Sequence, residues 1–406
     1  MRPLAALLLS TVPVLAMANV EVDNALTLRG GEWSGDRSLT SQSDIVTGTA
    51  GIRTRLDTES AGQGIFDAWA NVQNTSAPRH GLVREAYWRD DVDNLSIKAG
   101  RQIIVWGRAD GLNPTDNLSP RDFTLLTPVD GDQRYGNTAL NLSYEWDVGT
   151  LTALWFPQAA AHTIPLTRLA NVSYDVQQPD QSQWALKWDM SGDNIDGSVS
   201  YFDGVDPMPD LVPGMLTSTG ATVKVKAQRT RFWGADMSMT QGGTIWRAET
   251  ALSETQSSGS DDFRHKKNQL WFVGGGEWRL FDTATLGLQL TYTHVFDYAD
   301  AHDLAPGFER EVALRQAATS GQTSRDQAGF TWRLADTWFN ELLRVEFSGV
   351  AQQTSGSGIA RLKADYALTD NIKLTAGMDY YYGPKLTFFG QLRDDQTVYT
   401  QAEYRF

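Results

Sequence analysis

The final segment of the chain, residues 397–406, alternates between two kinds of side chain and ends on an aromatic residue. One side carries Val398, Thr400, Ala402, Tyr404 and Phe406, and the other side carries Tyr399, Gln401, Glu403 and Arg405. Because successive side chains of a strand point to opposite faces, this segment has one apolar and one charged face. Such a C-terminal strand is typical of a bacterial outer-membrane β-barrel. We predict that Tyr404 and Phe406 form the signal recognised by the barrel assembly machinery.

The N-terminal segment has the pattern of a secretory signal peptide. Arg2 supplies a positive charge, residues 4–16 form an apolar stretch, and Ala16-Met17-Ala18 resembles a cleavage site. The apolar stretch is shorter than the roughly 20 residues that a membrane-spanning helix needs. We therefore predict a signal peptide over residues 1–18 and an outer-membrane barrel over residues 19–406.

The composition excludes several functional classes. The chain has no cysteine, so it has neither disulfides nor thiolate metal sites. The net charge is −14, or −15 once Arg2 is removed with the signal peptide, which argues against a nucleic-acid-binding surface. The five histidines form no recognisable metal pair and no Ser-His partnership. We predict no enzyme, no metal site and no cofactor.

Segments of alternating polarity, separated by turn residues, recur from Val20 to the C-terminus. Short Asp/Asn/Gly connections alternate with longer polar loops, and in outer-membrane barrels the short turns face the periplasm. This rhythm predicts an all-β transmembrane antiparallel barrel of about eighteen strands, closed by the C-terminal strand, although sixteen satisfy the same parity requirement. One long strand is predicted near residues 223–240. A helix-like pattern covers residues 309–318.

The most unusual stretch is residues 100–123, GRQIIVWGRADGLNPTDNLSPRDF, which leads from a strand into a loop of about thirty residues. Its prolines and aromatic residues predict an ordered loop. We predict that residues 107–136 fold into the lumen as a constriction, with these residues lining the path or pinning the loop: Trp106, Arg108, Asp110, Asp116, Arg121, Asp122, Asp130, Asp132 and Arg134. The alternative is an extracellular loop stabilised by its own ion pairs. Calcium bound by Asp110, Asn113 and Asp116 is a further alternative, but their spacing matches no calcium-loop signature.

Charged residues on the polar faces of the predicted strands are nearly balanced in sign. The balance predicts ion-paired ladders across neighbouring strands, which stabilise the wall and give little net selectivity. The lumen charges in this prediction include Arg333, Arg344, Glu346, Arg361, Lys363, Asp365 and Lys373. We also expect Arg344 and Arg361, on neighbouring strands, to form a local positive rung.

Tryptophan and tyrosine residues on the apolar faces lie mostly near strand ends. Aromatic residues at these positions predict the interfacial girdles that anchor a barrel in its bilayer. Trp69, Trp271 and Tyr399 fall on inward faces instead. Stacking against a carbohydrate is the alternative role for these three.

Two tracts resemble one family. Residues 100–123 are similar to a segment of the alginate-export and related porin-like outer-membrane barrels of Gram-negative proteobacteria, and residues 380–399, YYYGPKLTFFGQLRDDQTVY, resemble the closing hairpin of the same group. The resemblance implies a monomeric barrel that passes a hydrophilic or amphiphilic molecule, and it does not define the cargo. The balanced charges depart from the arginine-rich lumen expected of an exporter of acidic polysaccharide.

The sequence thus predicts an integral outer-membrane channel for a hydrophilic or amphiphilic solute or polymer, such as a polysaccharide, embedded in outer-membrane lipid and lipopolysaccharide. Two alternatives stay open. One is an export barrel for an exopolysaccharide or lipid that works with an inner-membrane machine. The other is a plugged barrel that acts as an adhesin or assembly partner.

Overall fold

The computed structural model describes residues 20–35, 43–58, 61–74, 80–166, 169–256, 259 and 262–406. The predicted signal peptide, residues 1–18, lies outside the described residues. The strands, in chain order, are β1 (Val20–Ser34), β2 (Asp44–Thr58), β3 (Gly62–Gln73), β4 (His80–Val92), β5 (Leu95–Gln102), β6 (Asn137–Trp146), β7 (Gly149–Phe156), β8 (Val172–Gln177), β9 (Gln183–Ser191), β10 (Ile195–Val205), β11 (Asp210–Leu216), β12 (Ala221–Lys226), β13 (Arg229–Gln241), β14 (Thr244–Thr255), β15 (Gln269–Arg279), β16 (Thr285–Val295), β17 (Asp326–Trp338), β18 (Leu343–Gln352), β19 (Ser357–Ala367), β20 (Ile372–Tyr382) and β21 (Thr397–Arg405).

Eighteen of these strands form one closed sheet. Each pairs with its neighbours in an antiparallel sense, and the circle closes because β1 pairs with both β2 and β21. At the closure Leu28 lies opposite Tyr404, and the backbone N–H of Phe406 donates to the carbonyl of Leu26 at 3.0 Å. The strand number and the closure by the C-terminal strand confirm the sequence prediction.

The barrel wall has an apolar outer face and a polar inner face. On β14 the outward Trp246 is 40% exposed, whereas the inward Glu249 is 1% exposed because other groups inside the barrel cover it. The outer face also exposes many further aromatic side chains, among them Trp155, Trp184, Trp188, Trp233, Tyr366, Tyr380 and Tyr404. A closed barrel with an apolar exterior satisfies its backbone groups within the sheet and buries its outer face in lipid. The chain is therefore an integral protein of the outer membrane.

The two ends of the barrel differ in the length of their connections. Short turns at residues 93–94, 147–148, 192–194, 242–243 and 368–371 lie at one end. Long connections at residues 103–136, 157–182, 206–228 and 296–325 lie at the other. Since short turns face the periplasm in such barrels, we refer to the end with the long connections as the outer end.

Three of the long connections build a small cap at the outer end. Strands β8, β11 and β12 form a separate three-stranded sheet, and the helix α1 (Phe308–Ser320) packs on it through Val312. Gln316 of α1 donates to the Asp210 carboxylate at 2.7 Å and accepts from the Leu211 backbone N–H at 2.5 Å. The helix-like pattern at residues 309–318 is confirmed by α1. In the described part of the chain, no helix is long and apolar enough to cross a membrane.

The cap corrects one strand prediction. The segment predicted as a single strand near residues 223–240 is two strands, β12 in the cap and β13 in the barrel, separated by Ala227 and Gln228. The apolar alternation of Val223, Val225 and Ala227 continues the period of the barrel strand, and no Gly or Pro marks the break. Period alone therefore could not separate a cap strand from a barrel strand.

Deleting Phe406 is expected to lower the amount of folded barrel in the outer membrane. Its side chain lies on the outer face, 57% exposed, with its ring edge against Tyr404, and its backbone completes the pairing with β1. The yield of heat-modifiable barrel in outer-membrane fractions measures the effect. Deletion of the last residue combined with Arg405→Phe, which restores a terminal aromatic residue in the wrong register, is the control. An unchanged yield for the simple deletion would contradict the prediction.

Candidate constriction site

The loop between β5 and β6 reaches the opposite wall of the barrel. A Cβ atom placed on Gly111 would lie 3.4 Å from the Cβ of Thr331 on β17. Strand β17 is nine positions from β5 in either direction around the 18-stranded circle. The next residue, Leu112, packs against Val350 of β18 and Ile359 of β19. The chain therefore spans the full width of the lumen at this point.

Glu249 on β14 binds the backbone of this loop. One carboxylate oxygen accepts the N–H groups of Arg108 and Ala109, at 3.0 and 3.1 Å. The other accepts the N–H and the hydroxyl of Thr115, at 2.7 and 2.8 Å. Four donors thus converge on one buried carboxylate, which compensates its loss of water because each of its two oxygens is hydrogen bonded.

Two charged residues near the start of the loop form ion pairs with the wall. Arg108 forms ion pairs with Asp236 on β13 and, at 3.3 Å, with Asp189 on β9. Asp110 pairs with Arg247 on β14 at 2.8 Å. Arg108 binds acidic residues of the wall, whereas Asp110 binds a basic one. The wall therefore supplies partners of both charges to this short segment.

Trp106 takes part in an apolar contact with the wall. Its side chain is buried with Leu118 of the loop against Phe156 and Phe202, which belong to β7 and β10. Of the two roles considered for Trp106, lining the path or pinning the loop, this packing corresponds to pinning. The hydrophobic contact thus joins the start of the loop, at Trp106, to its middle, at Leu118.

The turn of the loop is held by an internal charge cluster. The Asp116 carboxylate forms ion pairs with Arg121, at 2.9 Å, and with Arg134. The backbones of Arg121 and Arg134 also form an antiparallel β-bridge. Asp122 accepts from the backbone and hydroxyl of Thr124, at 2.9 and 2.5 Å. These residues stabilise the loop itself.

The end of the loop is bound to the other side of the barrel. Asp130 pairs with Arg361 on β19 at 2.7 Å. The Asp132 carboxylate forms an ion pair with Arg29 on β1 at 2.5 Å and a longer one with Arg84 on β4 at 3.7 Å. The loop therefore has acidic contacts to basic residues of β1, β4 and β19 in addition to its contacts with β9, β13 and β14.

The remaining lumen charges form ion pairs, some between neighbouring strands and some within one strand. Arg333 and Arg344 both contact Glu346, at 3.0 and 3.4 Å. Lys363 lies 3.6 Å from Asp365, and Lys373 lies 3.6 Å from Glu403. The Glu403 carboxylate also forms an ion pair with Arg29 on β1 at 2.6 Å. The pairs of Arg333 with Glu346 and of Lys373 with Glu403 join neighbouring strands, as in the predicted ladders. The pairs of Arg344 with Glu346 and of Lys363 with Asp365 lie within one strand and were not predicted.

The predicted positive rung of Arg344 and Arg361 is wrong. The register of β18 with β19 places Arg344 opposite Asp365 and Arg361 opposite Ser348. The two arginines are thus four residues apart along the ladder, and each has an acidic neighbour. The calcium alternative is also not supported by the contacts, because Asp110, Asn113 and Asp116 bind three different partners.

The inward aromatic residues have separate surroundings. Trp69 lies beneath the guanidinium of Arg84, 5.0 Å from its ring centre. Tyr399 stacks on Trp33 at 6.0 Å. Trp271 donates its indole N–H to Thr291 at 2.9 Å and borders a cavity at the outer end.

The sequence did not identify the wall residues that bind the loop. Glu249, Asp236 and Arg247 lie on polar strand faces, and the sequence alone indicates for them only a share in the charge balance of the wall. Their signal was present, since an acid and a base two residues apart on one polar face of a strand offer partners to a charged loop. Nothing local in the sequence links them to Arg108 or Asp110, which precede them by more than a hundred residues.

Comparison with solved structures identifies the fold. The chain is similar to the outer membrane protein OpdK of Pseudomonas aeruginosa, with a TM-score of 0.57, 10% identity and coverage of 95% of this chain and 98% of that one. It is also similar to OccD3 of the same organism, with a TM-score of 0.54, 12% identity and coverage of 95% and 91%. For OccK11 of Pseudomonas aeruginosa the TM-score is 0.53, the identity 11% and the coverage 95% and 96%.

No family model matches the chain, and no curated protein is similar to it in sequence. The alginate-export part of the predicted resemblance thus has no support from these comparisons, whereas the porin-like architecture does. The likeness extends over nearly the whole length of each chain, so it concerns the complete barrel and not one hairpin. The chain has the fold of a porin-like outer-membrane β-barrel of 18 strands.

Proposed function

We propose that this chain is a porin-like channel for hydrophilic solutes and that residues 107–136 form its constriction. The observation that supports the proposal most is the crossing of the lumen at Gly111, with charged anchors on both sides of the barrel. Barrels of 16 to 18 strands can leave an aqueous lumen, and a loop fixed across such a lumen narrows the path without a cofactor.

The outer surface and the closing strand define the proposed partners. Outer-membrane lipid and lipopolysaccharide surround the apolar exterior, and the barrel assembly machinery recognises the strand that ends in Tyr404 and Phe406. The exposure of both rings on the outer face supports this assignment. The transported molecule is hydrophilic because the inner face carries charged and amide side chains.

Two other functions compete with this proposal. Export of an exopolysaccharide, which the alginate-export resemblance implies, requires a lumen that a polymer can thread. A plugged adhesin or assembly partner requires that the loop close the lumen completely. The paired charges on the wall and the anchored loop favour a small solute over a polymer. Stepwise ion conductance of the purified protein in planar bilayers supports the channel, and its complete absence would favour the plugged barrel.

The channel is expected to discriminate only modestly between small cations and anions, despite its net charge of −15 without the signal peptide. Acids and bases on the wall neutralise each other in pairs such as Arg333 with Glu346. Charges on outer loops are screened within about 8 to 10 Å at physiological salt, so they act at the mouth. Reversal potentials in a potassium chloride gradient measure the selectivity. Strong anion selectivity would contradict the prediction and would favour export of a polyanion.

A further inference from the structure

A cavity of about 260 Å³ lies at the outer end of the barrel, above the proposed constriction. Residues of the loop around Pro114 form its floor, and the wall includes the outer ends of β15 to β18. Met208 and the end of α1 border it from the cap side. Ligand pockets for drug-sized molecules measure roughly 300 to 1,000 Å³, so this volume fits a small solute and not a polymer.

Aromatic rings provide the apolar part of this cavity. Trp271 on β15, Phe232 on β13 and Phe389 in the connection between β20 and β21 all border it. The hydrogen bond from the Trp271 indole to Thr291 fixes the orientation of that ring at 2.9 Å. Phe389 is held by the edge of Phe388, with the ring centres 5.0 Å apart. Fixed rings offer flat surfaces to a ligand at little cost in conformational entropy.

The charged groups that border the cavity are already neutralised. Asp116 is paired with Arg121 and Arg134, and Lys266 is paired with Asp206 at 2.6 Å. Burial, together with the positive charge of Arg121, lowers the pKa of His162 to about 3, so its ring is neutral at physiological pH. A charged ligand would have to break one of these pairs or enter without a partner, and both are costly.

Neutral polar side chains supply hydrogen-bonding groups to the cavity. Asn113, Gln269 and Gln327 border it. Gln352 and Thr293, which also border the cavity, can both donate and accept. The site therefore favours a ligand that brings several hydroxyl groups.

From this combination of flat rings, paired charges and neutral polar side chains we infer that the cavity binds a neutral, hydroxyl-rich solute of the size of one sugar ring. The solute packs its apolar face on Trp271 and exchanges hydrogen bonds with Gln352 and Thr293. This inference rests on the proposed channel function, because the cavity lies directly above the proposed constriction, on the path that a transported solute would follow. It specifies the substrate class of that channel.

Current block by three probes of similar size and different charge tests this inference. Glucose, gluconate and glucosamine are added separately on the outer side of single channels in planar bilayers. Glucose is expected to reduce the ion current in a saturable manner, and the two charged probes to require at least about tenfold higher concentrations. Tighter block by gluconate or by glucosamine would overturn the inference.

Variants locate the bound probe. Trp271→Ala is expected to weaken the block by glucose about tenfold, whereas Trp271→Phe, which keeps a flat ring, should retain most of it. Trp69→Ala is the matched control, because Trp69 also faces inward but borders a different cavity. Heat-modifiable migration verifies that each variant is folded. If channels conduct but glucose gives no block, or if Trp271→Ala and Trp69→Ala have equal effects, this inference is wrong and the channel function is unaffected. Absence of any conductance would contradict the channel function itself.

Discussion

Removing residues 110–132 and joining the ends with a short glycine linker is expected to raise the single-channel conductance severalfold. The deleted segment includes Gly111, which contacts the far wall, and both Asp130 and Asp132, which bind Arg361 on β19 and Arg29 on β1. Without it the crossing of the lumen at Gly111 is lost. Planar-bilayer recordings of the intact and shortened proteins measure the change.

The control for this deletion removes the β11–β12 hairpin, residues 210–226, which belongs to the cap. Its loss is expected to leave the conductance nearly unchanged, because no residue of the hairpin borders the crossing at Gly111 among the contacts described. Conductance of the loop deletion equal to that of the intact channel would contradict the proposed constriction. A large increase with the hairpin deletion would place the narrowest point in the cap.

Glu249→Ala is expected to give channels with higher mean conductance and large current fluctuations. The Glu249 carboxylate accepts four hydrogen bonds from three residues of the loop. A hydrogen bond to a charged group contributes roughly 1.5 to 3 kcal/mol, and these four act as one unit, so their loss is not a simple sum. The loop then keeps its ion pairs at Asp110, Asp130 and Asp132 but loses the four hydrogen bonds to Glu249. Single-channel noise spectra measure the increased motion of the loop.

Two further variants separate loss of the anchor from loss of a charge. Glu254→Gln removes a carboxylate from the same strand and is expected to leave the current quiet. Gly107→Ala keeps Glu249 but places a Cβ atom 2.6 Å from its carboxylate, at a residue with a φ of +92°, where side chains are strained. It should reproduce the fluctuations of Glu249→Ala. Quiet currents in both Glu249→Ala and Gly107→Ala would show that the anchor does not hold the loop.

The barrel itself could be predicted from the sequence because its signal is local. Alternation within each strand, short turns such as Asp93-Asn94 and the aromatic end at Phe406 all follow from neighbours in the chain. The cap could not be predicted, because strands β8, β11 and β12 show the same period as the barrel. Which sheet such a strand joins depends on contacts with distant residues, such as Gln316 bound to Asp210.

The loop that we propose as the constriction could be predicted from the sequence as a loop, but its contacts could not. Its length and prolines indicated an ordered segment, and its charges indicated ion pairs. The partners, such as Asp236 for Arg108 and Arg361 for Asp130, come from strands far away in sequence. The error at Arg344 and Arg361 has a related cause, since alternation of polarity places both side chains on the inner face but does not specify the register of β18 with β19. Register depends on the turn geometry between the strands.

A disulfide across the lumen tests the central claim most directly. The native chain has no cysteine, so Gly111→Cys combined with Thr331→Cys introduces a single defined pair. The 3.4 Å between the two Cβ positions is close to the usual separation in disulfides, about 3.5 to 4.5 Å. Thr124→Cys with Thr331→Cys is the control and should stay reduced. Oxidation of the folded Gly111→Cys, Thr331→Cys barrel should yield the cross-linked peptide by mass spectrometry; two free thiols that both react with maleimide in the folded protein would contradict a loop that crosses the barrel.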